Sequence, residues 1–328
     1  MTLNQHFKHL VRVHMEATGA SYTQSRADLL AQQTHVRMRE PVVVAVHGRH
    51  GQAVTFTPDG TRVLSGGQDA RVAVLDAASG RLEGELVGHK KVVNAVQVTS
   101  DGRTVVTTSS DHTVGIWDLA SLSQVASLEG HRDAVVALDL SPDGTHALTG
   151  SYDGFLRRWD LAQRTCDQEL RSALQRVAAV VYAPNGAVTA ESGQGPVISV
   201  RSAATGEVVA QIDTGAPAVA DLAVSTDGSM LAAAGYDGTI TLWSCGEWEK
   251  VRVIHAGGRV NAVAFARSGM LLGAAVSGRV MLWSPEGDDP VAAMDLPIAG
   301  VYAVAFSPDT RRFAETGADG KVRLWTLR

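Results

Sequence analysis

The stretch GHRDAVVALDLSPDGTHALTGSYDGFLRRWDL, residues 130–161, decides the architecture of this chain. Val135 to Leu140 form a short, mostly apolar run, as expected of an inner strand buried on both faces. Ser141-Pro142-Asp143-Gly144 follows as a hairpin turn, because proline presets φ and glycine accepts a positive φ. Thr145 and His146 lead into a second strand at Ala147-Leu148-Thr149. Tyr152-Asp153-Gly154 turns the chain again, Phe155 to Trp159 make a third strand, and an outer strand is expected at Thr165 to Leu170. Turns about every ten residues leave no room for the long i, i+3, i+4, i+7 apolar pattern of a helical repeat.

The same module recurs. Its anchor residue falls at Leu75, Trp117, Trp159, Arg201, Trp243, Trp283 and Trp325, spaced 42, 42, 42, 42, 40 and 42 residues apart. Six positions before each anchor lies a Ser, Asp or Gly turn residue: Asp69, Asp111, Asp153, Gly195, Asp237, Ser277 and Asp319. A repeat of this length, with four short strands and turns between them, is one blade of a β-propeller. The expectation is an all-β fold, a seven-bladed propeller spanning residues 41–328.

Two modules carry a pair of signatures, Gly88-His89 with Trp117-Asp118 and Gly130-His131 with Trp159-Asp160. On these residues the chain resembles the WD40 family over about residues 41–328. The resemblance implies buried hydrogen-bonded sets of His, second-strand Thr, turn Asp and Trp. Here they would be His89, Thr107, Asp111 and Trp117, then His131, Thr149, Asp153 and Trp159. Burial makes such partners mutually obligatory. Leu75 and Arg201 replace tryptophan, and modules four, five and seven lack the histidine, so those blades are expected to rely on apolar packing. His47 is expected in the histidine slot of the first blade.

After Trp325 only three residues remain, too few for an outer strand in the last blade. The β-branched run Pro41 to Val46 precedes the first module and is the expected supplier; pairing it with the last blade removes two free sheet edges. Residues 1–40 are then a separate short helical extension. Leu3, Phe7, Leu10, Val11 and Met15 recur at helical spacing and Gly19 stops the run. Ser21 with Gln24 matches a capping box opening a second helix through Leu29 and Leu30. Helices this short cannot bury a core alone and must rest on the propeller, a second copy or a partner.

The formal net charge is -5 with no basic stripe, which argues against a nucleic-acid binder. There is no apolar run of membrane-spanning length and no secretory leader. Cys166 and Cys245 fall in different modules, which fits free thiols in a reducing cytoplasm. Arginine outnumbers lysine 24 to 5, a usage typical of GC-rich bacterial genomes.

No phosphate loop, nucleophile elbow or HExxH motif is present, and no cofactor is implied. His6, His9 and His14 lie on the first helix; His6 and His9 could share a face, but no carboxylate lies on that turn with them, so no metal site is expected. Cys166 is expected to be a buried, inert thiol, and Arg157-Arg158 and Lys90-Lys91 to be solvated faces. In WD40 proteins three positions per blade line the narrow top face: those before and after the first inner-strand residue, and the one before the turn Asp. Carried over, these include His50, Tyr152, Arg176, Tyr236, Arg259, Asn261, Val276 and Tyr302. Three of the five tyrosines of the chain fall on this ring, and tyrosine and arginine dominate binding hot spots. The expected function is a non-catalytic scaffold holding a protein or peptide on the top face. The alternative is an enzyme or small-molecule binder that uses the central channel mouth.

Overall fold

The computed structural model describes residues 3–25, 37–269, 272–284, 287 and 289–328. Among them, twenty-eight strands, numbered β1 to β28 in chain order, make seven four-stranded antiparallel sheets. The quoted stretch opens with β10 (Val135–Leu140), β11 (His146–Ser151) and β12 (Phe155–Asp160), and β13 (Thr165–Arg171) completes the blade. Gly144 sits at φ 72° in the first hairpin, the left-handed conformation the turn requires. In blade seven Thr310 takes the same place at φ 58°, where a β-branched residue is strained.

The blades share a plan. Each sheet is narrow, so its apolar faces can be covered only by the neighbouring sheets. The core is accordingly split into seven clusters, each spanning two adjacent blades. The anchor side chain reaches backwards: Trp117 packs with Leu64, Val72 and Leu86 of blade one, and Trp159 with Val106, Val114 and Leu128 of blade two. Leu75 closes the circle against Ala314, Val322 and Leu324 of blade seven.

Blade seven is assembled from both ends of the described chain. Its order is β1 (Val42–Ala45), β28 (Lys321–Thr326), β27 (Arg312–Gly317) and β26 (Val301–Phe306). Val42 faces Leu324 and Ala45 faces Lys321 in register. The pairing continues upstream, with Arg37 exchanging backbone hydrogen bonds with Arg328 and Arg39 N–H donating to the Thr326 carbonyl. Helix α1 (Leu3–Thr18) ends where Gly19, at φ 69°, donates to the Met15 carbonyl. The Ser21 hydroxyl accepts from the Gln24 N–H as a helix cap does; Leu29 and Leu30 lie outside the described residues. Among the described residues, α1 makes no contact with any strand as extensive as those between neighbouring strands.

Candidate functional site

The seven inner strands are β2 (Gly51–Phe56), β6 (Val93–Val98), β10, β14 (Val177–Tyr182), β18 (Val219–Val224), β22 (Val260–Phe265) and β26. They surround a channel of about 230 Å³. Each carries a bulge at its second residue, from Gln52 in blade one to Tyr302 in blade seven. A bulge re-aims a side chain and leaves backbone groups unpaired. These strands are also free sheet edges, whose polar groups need partners. Side chains from the preceding blade supply them. Asn94 donates to the Val135 carbonyl at 2.8 Å and Asn261 to the Val301 carbonyl at 2.7 Å. Asp139 accepts from the Tyr182 N–H at 2.7 Å, and Asp221 from the Val263 N–H at 3.0 Å. The Asp221 carboxyl lines the channel, and that of Asp139 also accepts from the Gln97 amide at 3.4 Å. Burial pushes each up to about 7, against the backbone hydrogen bonds that favour the ionised form. Neither residue stood out in the sequence; a charge in an otherwise apolar inner-strand column was the available signal.

The two signature sets come together. In blade two, Trp117 Nε1 donates to Thr107 Oγ1 at 2.8 Å, Thr107 meets His89 Nε2 at 2.7 Å, and His89 Nδ1 meets Asp111 at 3.0 Å. In blade three, Trp159 Nε1 donates to Thr149 at 2.9 Å, Thr149 meets His131 Nε2 at 2.8 Å, and His131 Nδ1 meets Asp153 at 3.0 Å. Burial pushes the His131 imidazole down to about 4; Asp153 opposes this and nearby Arg157 adds to it. Burial works to raise the Asp153 carboxyl, but the Arg132 N–H, His131 and the Phe155 N–H hold it at about 2. Blade one has a smaller version, with His47 between Asp69 at 2.9 Å and Ser65 at 3.0 Å.

Blades four and seven depart from the expectation of apolar packing. In blade four, Arg201 Nε donates to Glu191 at 2.7 Å with both side chains buried, and its Nη1 donates to the Gly206 carbonyl. In blade seven, buried Arg323 bridges Glu315 at 3.0 Å and also Asp319. Burial pushes the Glu315 carboxyl up to about 7, with Arg323 opposing. Glu191 and Glu315 both stand ten residues before an anchor, the place of Thr107 and Thr149. A buried acid in that column needs a cation, which the sequence already supplied. Blade five does follow the apolar expectation, with Ala232, Ala233 and Ala234 buried, and the Trp243 indole N–H has no partner.

Three smaller expectations also fail. Arg157 is buried rather than solvated, held by Asp153 at 3.0 Å and Glu169 at 2.6 Å, and Arg158 bridges Asp167. Cys166 is exposed rather than buried, because its strand is the outer edge of blade three, although local burial still raises its thiol. Val276 is buried opposite Val260, and the Ser277 N–H donates to the Arg259 carbonyl instead. The shorter turn of blade six shifts that slot by one residue.

The remaining top-face residues form pairs across blade boundaries. The Tyr152 N–H donates to the Ala134 carbonyl and the Tyr236 N–H to the Ala218 carbonyl, which fastens each turn over an inner-strand entrance. The Arg176 guanidinium lies 5.0 Å from the Tyr152 ring centroid, and that of Arg259 lies 3.7 Å from the Tyr236 ring. His50 and Tyr302 rings are 5.6 Å apart and tilted, and His50 also meets Gln68 at 3.2 Å. Tyr152 and Tyr236 remain 37% and 40% exposed, so the pairs face solvent. Asn261 belongs to the strand-capping set described above. His6 and His9 lie on α1, and nothing is described of their side chains. Among the described residues no group of three or more His, Cys, Asp or Glu could hold a metal ion. No helix there is long and apolar enough to cross a membrane.

The family described as the IFT122 first beta-propeller matches residues 51–294, and the WD domain, G-beta repeat, matches residues 297–326. The Small ribosomal subunit protein RACK1 of Schizosaccharomyces pombe is 25% identical over 118 residues, 33% of this chain and 38% of its own. The Ribosome biogenesis protein WDR12 homolog of Chlamydomonas reinhardtii is 34% identical over 131 residues, 36% of this chain and 29% of its own. The Cross-pathway control WD-repeat protein 2 of Flammulina velutipes is 30% identical over 115 residues, 32% of this chain and 36% of its own. The chain thus spans less than two fifths of the length of these relatives.

Proposed function

This chain belongs to the family of the IFT122 first beta-propeller, a WD-repeat β-propeller, and from that premise we propose that it is a non-catalytic scaffold. It holds a protein or peptide partner on the top face, through Tyr152, Arg176, Tyr236, Arg259, Tyr302 and His50. The observation that carries the reading is the set of three aromatic pairs at blade boundaries around the channel mouth, two of them solvent-facing and the His50–Tyr302 pair half-buried. Tyrosine and arginine held in place by one another lose little side-chain freedom on binding, the condition under which they act as hot spots. Two relatives carry ribosomal names, RACK1 and WDR12, which fits a role within a larger assembly.

Capture from native lysate tests the reading. Tyr236→Ala together with Arg259→Ala should weaken capture of the physiological partner at least tenfold, about 1.4 kcal/mol. Val209→Ala with Gln211→Ala, exposed on the outer strand of blade four, should change it little. A folded top-face variant that captures its partner at full strength sinks the site.

The proposal extends to organisation and place. The extension of residues 1–40, separable up to the backbone pairing that starts at Arg37, engages a second partner, tested by comparing capture by the full chain with capture by residues 37–328. Two unpaired cysteines support a cytoplasmic location, and the arginine-rich usage a bacterial source, although the relatives named above are eukaryotic. The alternative, a small molecule at the channel mouth, would lie against Asp221, and a co-purifying ligand displaced by Asp221→Asn would establish it.

A further inference from the structure

We infer that the segment docked on the top face is an acidic peptide of a protein partner, its carboxylates received by Arg176 and Arg259. The inference rests on the top face being the partner site and names the chemistry of what binds there.

Arginines on the bodies of the blades are paired: Arg71 with Asp69 and Glu85, Arg158 with Asp167, Arg201 with Glu191. Arg176 and Arg259 are exposed, and neither has a carboxylate partner among the described residues. Each instead lies over a tyrosine ring. That arrangement holds the guanidinium in place and leaves its N–H edge free, the geometry for bidentate reception of a carboxylate.

The two clamps flank blade four and the entrance to blade five. The surface between them carries the exposed Gln194 beside the small residues Gly195, Pro196, Gly215, Pro217 and Ala218, which offer little side chain to obstruct a backbone. An extended segment can lie there with an acid at each end.

The wider charge pattern agrees. The top-face loops carry exposed Arg49, Lys90, Lys91 and Arg132 besides the two clamps. Against these six cations stand exposed Glu129, Asp133, Asp213 and Asp237, while the turn carboxylates Asp69, Asp153 and Asp319 are paired with Arg71, Arg157 and Arg323. The opposite face, with its Asp-Gly hairpins and the Glu247 to Glu249 loop, leans acidic, as does the whole chain at -5. The excess positive charge is therefore local to one face and steers an anionic partner to it.

A single-stranded nucleic acid is the competing anion. Its bases would need open aromatic platforms. Here one face of each of Tyr152 and Tyr236 is already occupied by a guanidinium group, and the cations ring a channel mouth instead of lining a strand-length groove. The observations favour the peptide.

The test uses the full chain and fluorescence anisotropy with a short labelled Glu-Ala repeat peptide. Gln-Ala and Lys-Ala peptides of equal length and an oligouridylate serve as comparators. The Glu-Ala peptide should bind in preference to the other three, and added salt should weaken it. Arg176→Ala with Arg259→Ala should cost at least tenfold in affinity while the thermal melt is unchanged. The corresponding double Lys variant should retain part of the binding, because charge survives and the bidentate edge does not. Equal binding of the Gln-Ala peptide, tighter binding of oligouridylate, or no effect of the double Ala variant overturns the inference. If the native partner is still captured through Tyr236 and Arg259 but the Glu-Ala peptide does not bind, the acidic chemistry falls alone and the scaffold reading stands.

Discussion

Blades three and four stand next to each other, their anchors 42 residues apart, and meet the same demand with different chemistry. Blade three fills the space beneath its anchor with His131, Thr149, Asp153 and Trp159. Blade four puts Arg201 at the anchor and Glu191 where Thr149 would be, and ties them at 2.7 Å. Burial sets the demand: whatever enters must be satisfied locally. A hydrogen-bonded relay that ends on a carboxylate satisfies it, and so does a direct charge pair. Blade seven repeats the second solution with Glu315 and Arg323, whereas blade five simply packs alanines. The repeat therefore conserves a slot, and the residues in the slot are free to vary in kind so long as they vary together.

The comparison can be broken most violently at blade seven, which is not continuous in sequence. Removing residues 1–46 takes away β1 and the Arg37 to Arg39 pairing and should lower the melting temperature sharply; removing 1–36 should change it little. Equal losses would contradict the closure.

Next in size is the charge pair of blade four. Arg201→Leu strands Glu191 in the core and should cost about 3–5 kcal/mol in chemical denaturation. Adding Glu191→Ser, which gives blade four the Leu and Ser that blade one has at Leu75 and Ser65, should recover most of it. If the double variant is no more stable than the single, the two residues are not a coupled pair.

The relay of blade three should prove weaker. Asp153→Ala should cost about 1–3 kcal/mol, and Asp237→Ala in blade five, an exposed carboxylate with no histidine, should cost much less. Asp319 is no substitute for this control, because it helps to hold Arg323.

The smallest effects are in pH dependence. His131 is held down at about 4 in the fold, so the stability it contributes is complete above its ordinary value of 6.5 and fades as pH falls toward 4. Asp153, held at about 2, adds a loss below 3.8. The Asp139 and Asp221 carboxyls run the other way. Their folded values are raised from 3.8 to about 7, so their contribution is complete at low pH and lost as pH rises through 7. Asp139→Asn with Asp221→Asn should therefore raise the melting temperature at pH 8 and leave it nearly unchanged at pH 4. A gain confined to low pH would reverse this account.

Much of this was legible beforehand because propeller burial is periodic. The turn at Ser141 to Gly144, the closure from Pro41 to Val46 and the His89 and His131 relays each follow from a residue's place in the module. The rest depends on contacts between columns. Arg201 reads as a lost tryptophan until Glu191 is seen in the adjacent strand. Arg176 and Tyr152 belong to different blades, so their stacking follows from the order of blades around the ring and from no local pattern. Ser277 takes the slot that counting gives to Val276, because a shortened turn changes the count without changing the period elsewhere.

The most direct measurement is hydrogen–deuterium exchange of the full chain, free and bound to its captured partner. Protection should appear in the top-face loops of blades three to six, around Tyr152, Arg176, Tyr236 and Arg259. Protection confined to the outer strands or to the opposite hairpins, with those four positions unchanged, would contradict the account.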